Sequence, residues 1–135
     1  MAVRAVRGAT QVERDDREHV LARTRELVGL LTTRNDLGPD DLISMTFTAT
    51  PDVASVAPAL AARQLGYHDV ALICVQEMVV EGSMPRVVRV LIHWNTDRSQ
   101  KEINHIYLGH AAALRPDLQI PARNSMNGHK REAVV

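Results

Sequence analysis

Two apolar runs separated by a Gly/Ser/Pro break constrain the fold more than any other feature of this chain. From Cys74 the sequence reads Cys-Val-Gln-Glu77-Met, then Glu81-Gly-Ser-Met-Pro85, then Arg-Val-Val-Arg89-Val. The pattern predicts two strands joined by a tight turn. With the turn centred on Ser83, Glu77 lies opposite Arg89, and facing Cβ atoms on paired strands are about 5 Å apart. Such a pair is either one wall of a polar pocket or an ion pair on a solvated face. Position alone leaves both readings open.

At 135 residues the chain has room for one domain with a real core. Sixteen basic and sixteen acidic side chains cancel, which argues against a polyanion partner such as nucleic acid. The four aromatic residues, Phe47, Tyr67, Trp94 and Tyr107, are too few for a base-stacking platform. Within the basic set arginine is dominant, with Lys101 and Lys130 the two lysines. A guanidinium fork suits small carboxylate ligands, although a general bias towards arginine gives the same composition.

A single cysteine excludes an intrachain disulfide. No segment reaches the roughly 20 apolar residues of a membrane span, and the N-terminus lacks the apolar core of a signal peptide. These features predict a soluble, cytoplasmic protein without a membrane partner.

The hydrophobic period alternates between that of strands and that of helices. Residues 2–12 read as a strand. Asp15 is the expected N-cap of a helix, with Glu18 completing the capping pair. Val20, Thr24, Leu27 and Leu31, flanked by Leu21 and Val28, give that helix one apolar face. Pro39-Asp-Asp reads as a short helical turn and residues 42–48 as a second strand. Residues 55–65 form an expected alanine-rich helix bearing Arg63. Residues 69–76 are a nearly continuous apolar strand, expected to be covered on both faces. A fourth strand follows over 87–94, then a turn capped by Ser99 and Glu102. Residues 105–115 fit helix or strand, and the polar segment 119–135 reads as a mobile tail. The order predicts an α+β domain over residues 1–118, a mixed sheet with one long amphipathic helix packed on one face. The other face needs cover, and association with further copies of the chain supplies it.

Six scattered histidines show no metal-site spacing, and His105 and His110 fall on different sides of a helix. Cys74, among apolar strand residues, is expected to be a buried, inert thiol. No glycine-rich phosphate loop is present.

Six segments in register then resemble one family. They are Arg4-Ala-Val-Arg7-Gly-Ala-Thr10, Ala49-Thr-Pro-Asp52, Pro58 to Arg63, Cys74-Val-Gln-Glu77-Met with Gly82 through Arg89-Val, His105-Ile-Tyr107-Leu, and Leu114-Arg115-Pro-Asp-Leu118. In order and spacing they resemble the monofunctional chorismate mutases of the trimeric α/β class, not the all-helical class. The resemblance implies rearrangement of chorismate to prephenate without a cofactor, in a pseudo-barrel homotrimer with sites at the subunit interfaces. It implies that Arg89 meets the ether oxygen, with Glu77 orienting it and accepting from the ring hydroxyl. It further implies that Arg7 holds a carboxylate assisted by Tyr107, that Cys74 contacts the hydroxyl side, and that Arg63 and Arg115 sit at the mouth. Leu114, Ala57 and Ile73 would line the pocket. Ala57 stands where the family usually has a bulky aromatic, and Ile73 where it has a hydroxyl residue, departures that bear on pocket volume. A regular strand points Cys74 and Glu77 to opposite faces, so both reach one ligand only if the strand ends or bulges between them. Two other classes fit an arginine pocket: a non-catalytic module binding a small dicarboxylate, and a trimeric imine deaminase, whose segments match poorly.

Overall fold

Val6, Gly8, Thr10 and Val12 fall on one side of an extended segment, with Arg7, Ala9 and Gln11 on the other. Residues Ala2–Gln11 accordingly form strand β1. The structure, a computed structural model, describes residues 1–118; the tail expected over 119–135 lies outside the described residues. Helix α1, Arg17–Asn35, is capped by Asp16, one residue later than expected, whose carboxylate accepts the His19 N–H. Asp15 instead accepts the backbone N–H groups of Ala54 and Ser55. Asp36, left-handed at φ 53°, closes α1 by donating its N–H to the Thr32 carbonyl. Leu21, Leu27 and Leu31 on the buried stripe are fully enclosed, each contributing about 1.5–3 kcal/mol relative to exposure.

Strand β2 is Leu42–Ala49, preceded by the expected turn at Pro39–Asp41. Helix α2 covers only Ala59–Gln64, shorter than the expected 55–65. Asp15 holds Ala54 and Ser55 out of the helix, and the residue before Pro58 is biased away from helical backbone. Strands β3 (Ala71–Gln76), β4 (Val87–Thr96) and β5 (Ile106–Leu108) complete the sheet. Segment 105–115 thus divides into a short strand followed by a 3₁₀ segment, Gly109–Leu114. The expected Ser99–Glu102 capping box is present.

The strand order is β3-β2-β4-β1-β5, mixed as expected. β2 is antiparallel to β4 and parallel to β3, while β1 is antiparallel to β4 and parallel to β5. The expected β3–β4 hairpin does not form, because β2 lies between the two strands. Residues 77–86 connect them across its end, where Glu77 N–H donates to the Ala49 carbonyl.

One sheet face carries Val6, Met45, Phe47, Val90, Ile92 and Trp94 against α1 and α2. On that face Gly8 sits where a Cβ would lie 2.5 Å from the Ile106 carbonyl oxygen and 2.9 Å from Leu27 Cδ1. Strand β5 can approach β1 only because that atom is missing. The opposite face is partly covered: Ala9, Val87 and Tyr107 pack under Ala111 and Leu114, beside Met84. The rest is open. β3 is an edge strand rather than one covered on both faces, with Ile73 58% and Val75 44% exposed. Among the described residues no helix is long and apolar enough to cross a membrane.

Candidate active site

The open sheet face receives side chains from four adjacent strands. Alternation places Thr46 and Thr48 of β2, Arg89 and Leu91 of β4, Arg7 of β1 and Tyr107 of β5 on it. Two adjoining cavities lie over these residues and share Thr48 and Arg89. The first, about 210 Å³, is lined chiefly by Arg7, Thr46, Arg89, Leu91 and Tyr107. The second, about 550 Å³, runs under the 77–86 connection and is lined by Glu77, Met78, Met84 and Leu114 as well.

At the shared wall, Arg89 Nε donates to Glu77 Oε2 at 2.9 Å, and Thr48 Oγ1 donates to the same oxygen at 2.5 Å. The ion pair is largely enclosed, with the side chains 24% and 14% exposed. Glu77 is thereby aimed by two donors, and Arg89 is held by one edge of its fork. Among the described residues the Arg89 Nη groups and the Arg7 guanidinium have no protein partner. Two guanidiniums face one carboxylate, so the floor carries a net positive charge suited to an anion.

Tyr107 is buried, and that burial raises its hydroxyl above the usual value of 10.0; nearby Arg89 opposes the shift. The hydroxyl therefore stays protonated through the neutral range and is available as a donor. Beneath Arg7, its backbone N–H donates to His105 Nδ1 at 3.1 Å.

The structure therefore brings together Arg7, Glu77, Arg89, Tyr107 and Leu114. β3 ends at Gln76, between Cys74 and Glu77, yet the two side chains still fall on opposite faces: Glu77 reaches Thr48 on the open face and Cys74 stays on the helix side. The remaining expected residues line neither cavity. Ala57 and Arg63 are exposed around α2. Ile73 shares the open face with Thr46, its register partner on β2. Cys74 is exposed, not buried, because its strand is at the sheet edge, and its Sγ accepts the Ala59 N–H at 3.3 Å on the helix side. Arg115 is engaged by Asp117 through both prongs of its fork, at 3.0 and 2.7 Å, which holds the Asp117 carboxyl below its usual range.

Thr48 and His105 are site-building residues that the sequence pattern did not single out. The Met-Thr-Phe-Thr alternation puts Thr48 on the open face, but no local signal ties it to Glu77. A histidine serving as backbone acceptor has no spacing signature.

Comparison with known proteins bears on what this arrangement does. The family model for chorismate mutase type I matches residues 3–118. The chain is 46% identical over 118 residues to the chorismate mutase AroH of Thermus thermophilus, covering 87% of this chain and 97% of that protein. It is 41% identical over 121 residues to the chorismate mutase AroH of Bacillus subtilis strain 168, covering 89% and 95% respectively. Among solved structures, a chorismate mutase from Clostridium thermocellum superposes with a TM-score of 0.81 at 40% identity, covering 82% of this chain and 99% of that one.

Proposed function

Because the chain belongs to the type I chorismate mutases and so rearranges chorismate to prephenate, towards the aromatic amino acids, we propose that the paired cavities around Arg89 are where it does so. The observation that carries this reading is the Thr48–Glu77–Arg89 chain, which fixes one edge of a guanidinium and leaves its Nη groups beside Arg7 and Tyr107.

The reaction breaks a C–O bond and forms a C–C bond within one molecule, so no nucleophile, proton transfer or cofactor is required. Two demands remain. The enolpyruvyl arm must be folded over the ring, an orientation problem that two carboxylate-binding arginines solve by holding the substrate at separate points. Negative charge that builds on the ether oxygen must also be met by a fixed cation. Arg89 meets it, and its attachment to Glu77 means that little reorganisation is needed as the charge develops. An interaction that strengthens as the ether bond breaks raises the rate instead of merely tightening binding. Arg7, assisted by the Tyr107 hydroxyl, holds a carboxylate. The second oxygen of Glu77 accepts from the ring hydroxyl, and Leu114 closes the far end.

Ala57, Arg63, Ile73 and Cys74 lie outside both cavities, along the exposed β3 edge and the neighbouring α2, while the cavities open on a sheet face that bears exposed apolar side chains. We infer a homotrimer in which that edge of one protomer completes the cavity of the next, with Arg63 and Arg115 at the mouth. The working location is the cytoplasm, and the reading involves no nucleic acid or membrane.

The test is chorismate consumption by the purified protein without added metal or cofactor, with prephenate identified as product. Saturable turnover that is lost in Arg89→Ala supports the site. Turnover unchanged in that variant would remove Arg89 from the chemistry.

A further inference from the structure

His105 lines neither cavity, yet it is bonded to the residue whose side chain is their second guanidinium. Its Nδ1 accepts the Arg7 backbone N–H at 3.1 Å. The strand register explains the contact. β5 pairs with β1 only at Gly8, Ala9 and Thr10, starting with Gly8 against Ile106. Arg7 lies just before that first rung, where the ladder offers no carbonyl. The imidazole takes the place of the missing acceptor for a partly buried N–H.

We propose that His105 is a positioning residue for Arg7: its neutral ring, protonated at Nε2 and accepting at Nδ1, fixes the backbone from which the Arg7 guanidinium reaches the substrate. The inference rests on the role given to Arg7 above. An imidazolium carries N–H on both nitrogens and accepts at neither. Protonation therefore sets two donors against each other beneath Arg7. It also loosens the chain leading into β5, where His105 stands two residues before Tyr107, so one ring governs two substrate-facing groups.

The groups around the ring give the direction of the pH effect. Burial lowers the His105 pKa from 6.5, and the Asp117 carboxylate opposes that shift. Asp117 is itself held by Arg115, and Arg7 approaches from β1. From α1 the group bonded to this segment is the uncharged Asn35 amide, which pairs with the backbone of Asn104. Burial is the larger effect, so the neutral ring holds at neutral pH and function is lost on the acid side.

The experiment is kcat/KM from about pH 4.5 to 8, across the imidazole range, for wild type, His105→Asn and His105→Ala. Wild type is expected to lose activity with an apparent pKa below 6.5. Asn presents Oδ1 where Nδ1 was and does not titrate, so it should keep the neutral-pH value and lose the acid limb. Glu77, the acid of the site, is unchanged in that variant, so a limb that disappears belongs to His105. Ala should fall about tenfold at neutral pH, the effect of one lost hydrogen bond. An acid limb that persists in the Asn variant overturns the proposal, as does a wild-type rate in the Ala variant. Imidazole ¹⁵N shifts of the wild-type protein read the ring independently of turnover and of any variant's folding. The Nε2–H tautomer is expected at neutral pH, and the Nδ1–H tautomer overturns the proposal. Undiminished turnover in Arg7→Ala overturns it through Arg7 rather than through His105.

Discussion

Arg89 and Glu77 meet across a strand that belongs to neither of them. Arg89 is paired in register with Thr48 on β2, and Glu77 follows the last residue of β3 on the other side of that strand. Neighbouring strands lie about 4.8 Å apart, so the two backbones are separated by roughly twice that distance. The long arginine side chain spans the gap, and Thr48 between them donates to the carboxylate oxygen that Arg89 also uses.

Replacing Arg89 by Lys tests whether the shape of the cation matters as well as its charge. An ammonium is a point charge and does not serve Glu77, the ether oxygen and a carboxylate together. Turnover should fall roughly 100- to 1,000-fold, the scale of losing one preorganised donor, with the thermal midpoint little changed. Near-normal kcat would remove the guanidinium from the mechanism.

Thr48→Val removes one of the two donors that aim Glu77 while preserving side-chain volume. A loss of about fivefold to tenfold in kcat/KM is expected, the effect of one hydrogen bond, with folding intact by circular dichroism. An unchanged rate would show that Arg89 alone orients the carboxylate.

Tyr107 should act as a donor well into the alkaline range. Its burial raises the hydroxyl above 10.0, so no alkaline limb should appear in kcat/KM up to about pH 9. Tyr107→Phe should raise KM more than it lowers kcat. A wild-type alkaline limb near neutrality that disappears in the Phe variant would contradict this protonation state.

Stability should also respond to mild acid through His105. Its folded pKa is depressed below 6.5, so between that lowered value and 6.5 the unfolded chain binds more protons than the native protein. Stability is complete above 6.5 and declines as pH falls through the window. The carboxyls with lowered values, Glu13, Asp15, Glu102 and Asp117, act separately below 4.5. Urea midpoints taken between about pH 7 and 5 should fall in wild type and stay level in His105→Asn. A parallel decline in both proteins would assign the slope to another group.

The inferred trimer has a direct measure in sedimentation. Wild type should run at three times the 15.0 kDa chain mass, and Val75→Asp, which puts a charge on the exposed edge strand, should run as a folded single chain without turnover. A wild-type protein that turns over as a monomer would mean that one chain holds the whole site.

Much of this was legible in the sequence, for reasons that differ from residue to residue. Alternation in residues 2–11 and 42–49 and the Leu27–Leu31 stripe mark β1, β2 and α1, because period and burial are local properties. The Arg89–Glu77 contact was legible too, but by way of a hairpin that does not exist. Gly82-Ser-Met-Pro85 signals a turn without saying which strands the turn joins. The parallel β2–β3 pairing depends on a crossover through α2, which leaves no mark near residue 77. The cap at Asp16 was missed by one position because two adjacent aspartates offer the same chemistry, and tertiary contacts with Ala54 and Ser55 claim the first. Cys74 reads as buried from its apolar neighbours, whereas its exposure follows from its strand's place at the edge.

The 77–86 connection has a consequence for how this protein can diverge. It is anchored on both sides at the end of β2, by Glu77 on the Ala49 carbonyl and by Val87, which follows it, on Thr50 just beyond the strand. The alignment of acid and guanidinium is thus set by the sheet and not by the length of the segment between them. Residues 78–85 form a span whose insertions and deletions leave the Glu77–Arg89 pair in place while reshaping the roof above it. That roof can therefore change without moving the pair, and an inhibitor meant to tell one version of the site from another should be built to touch it.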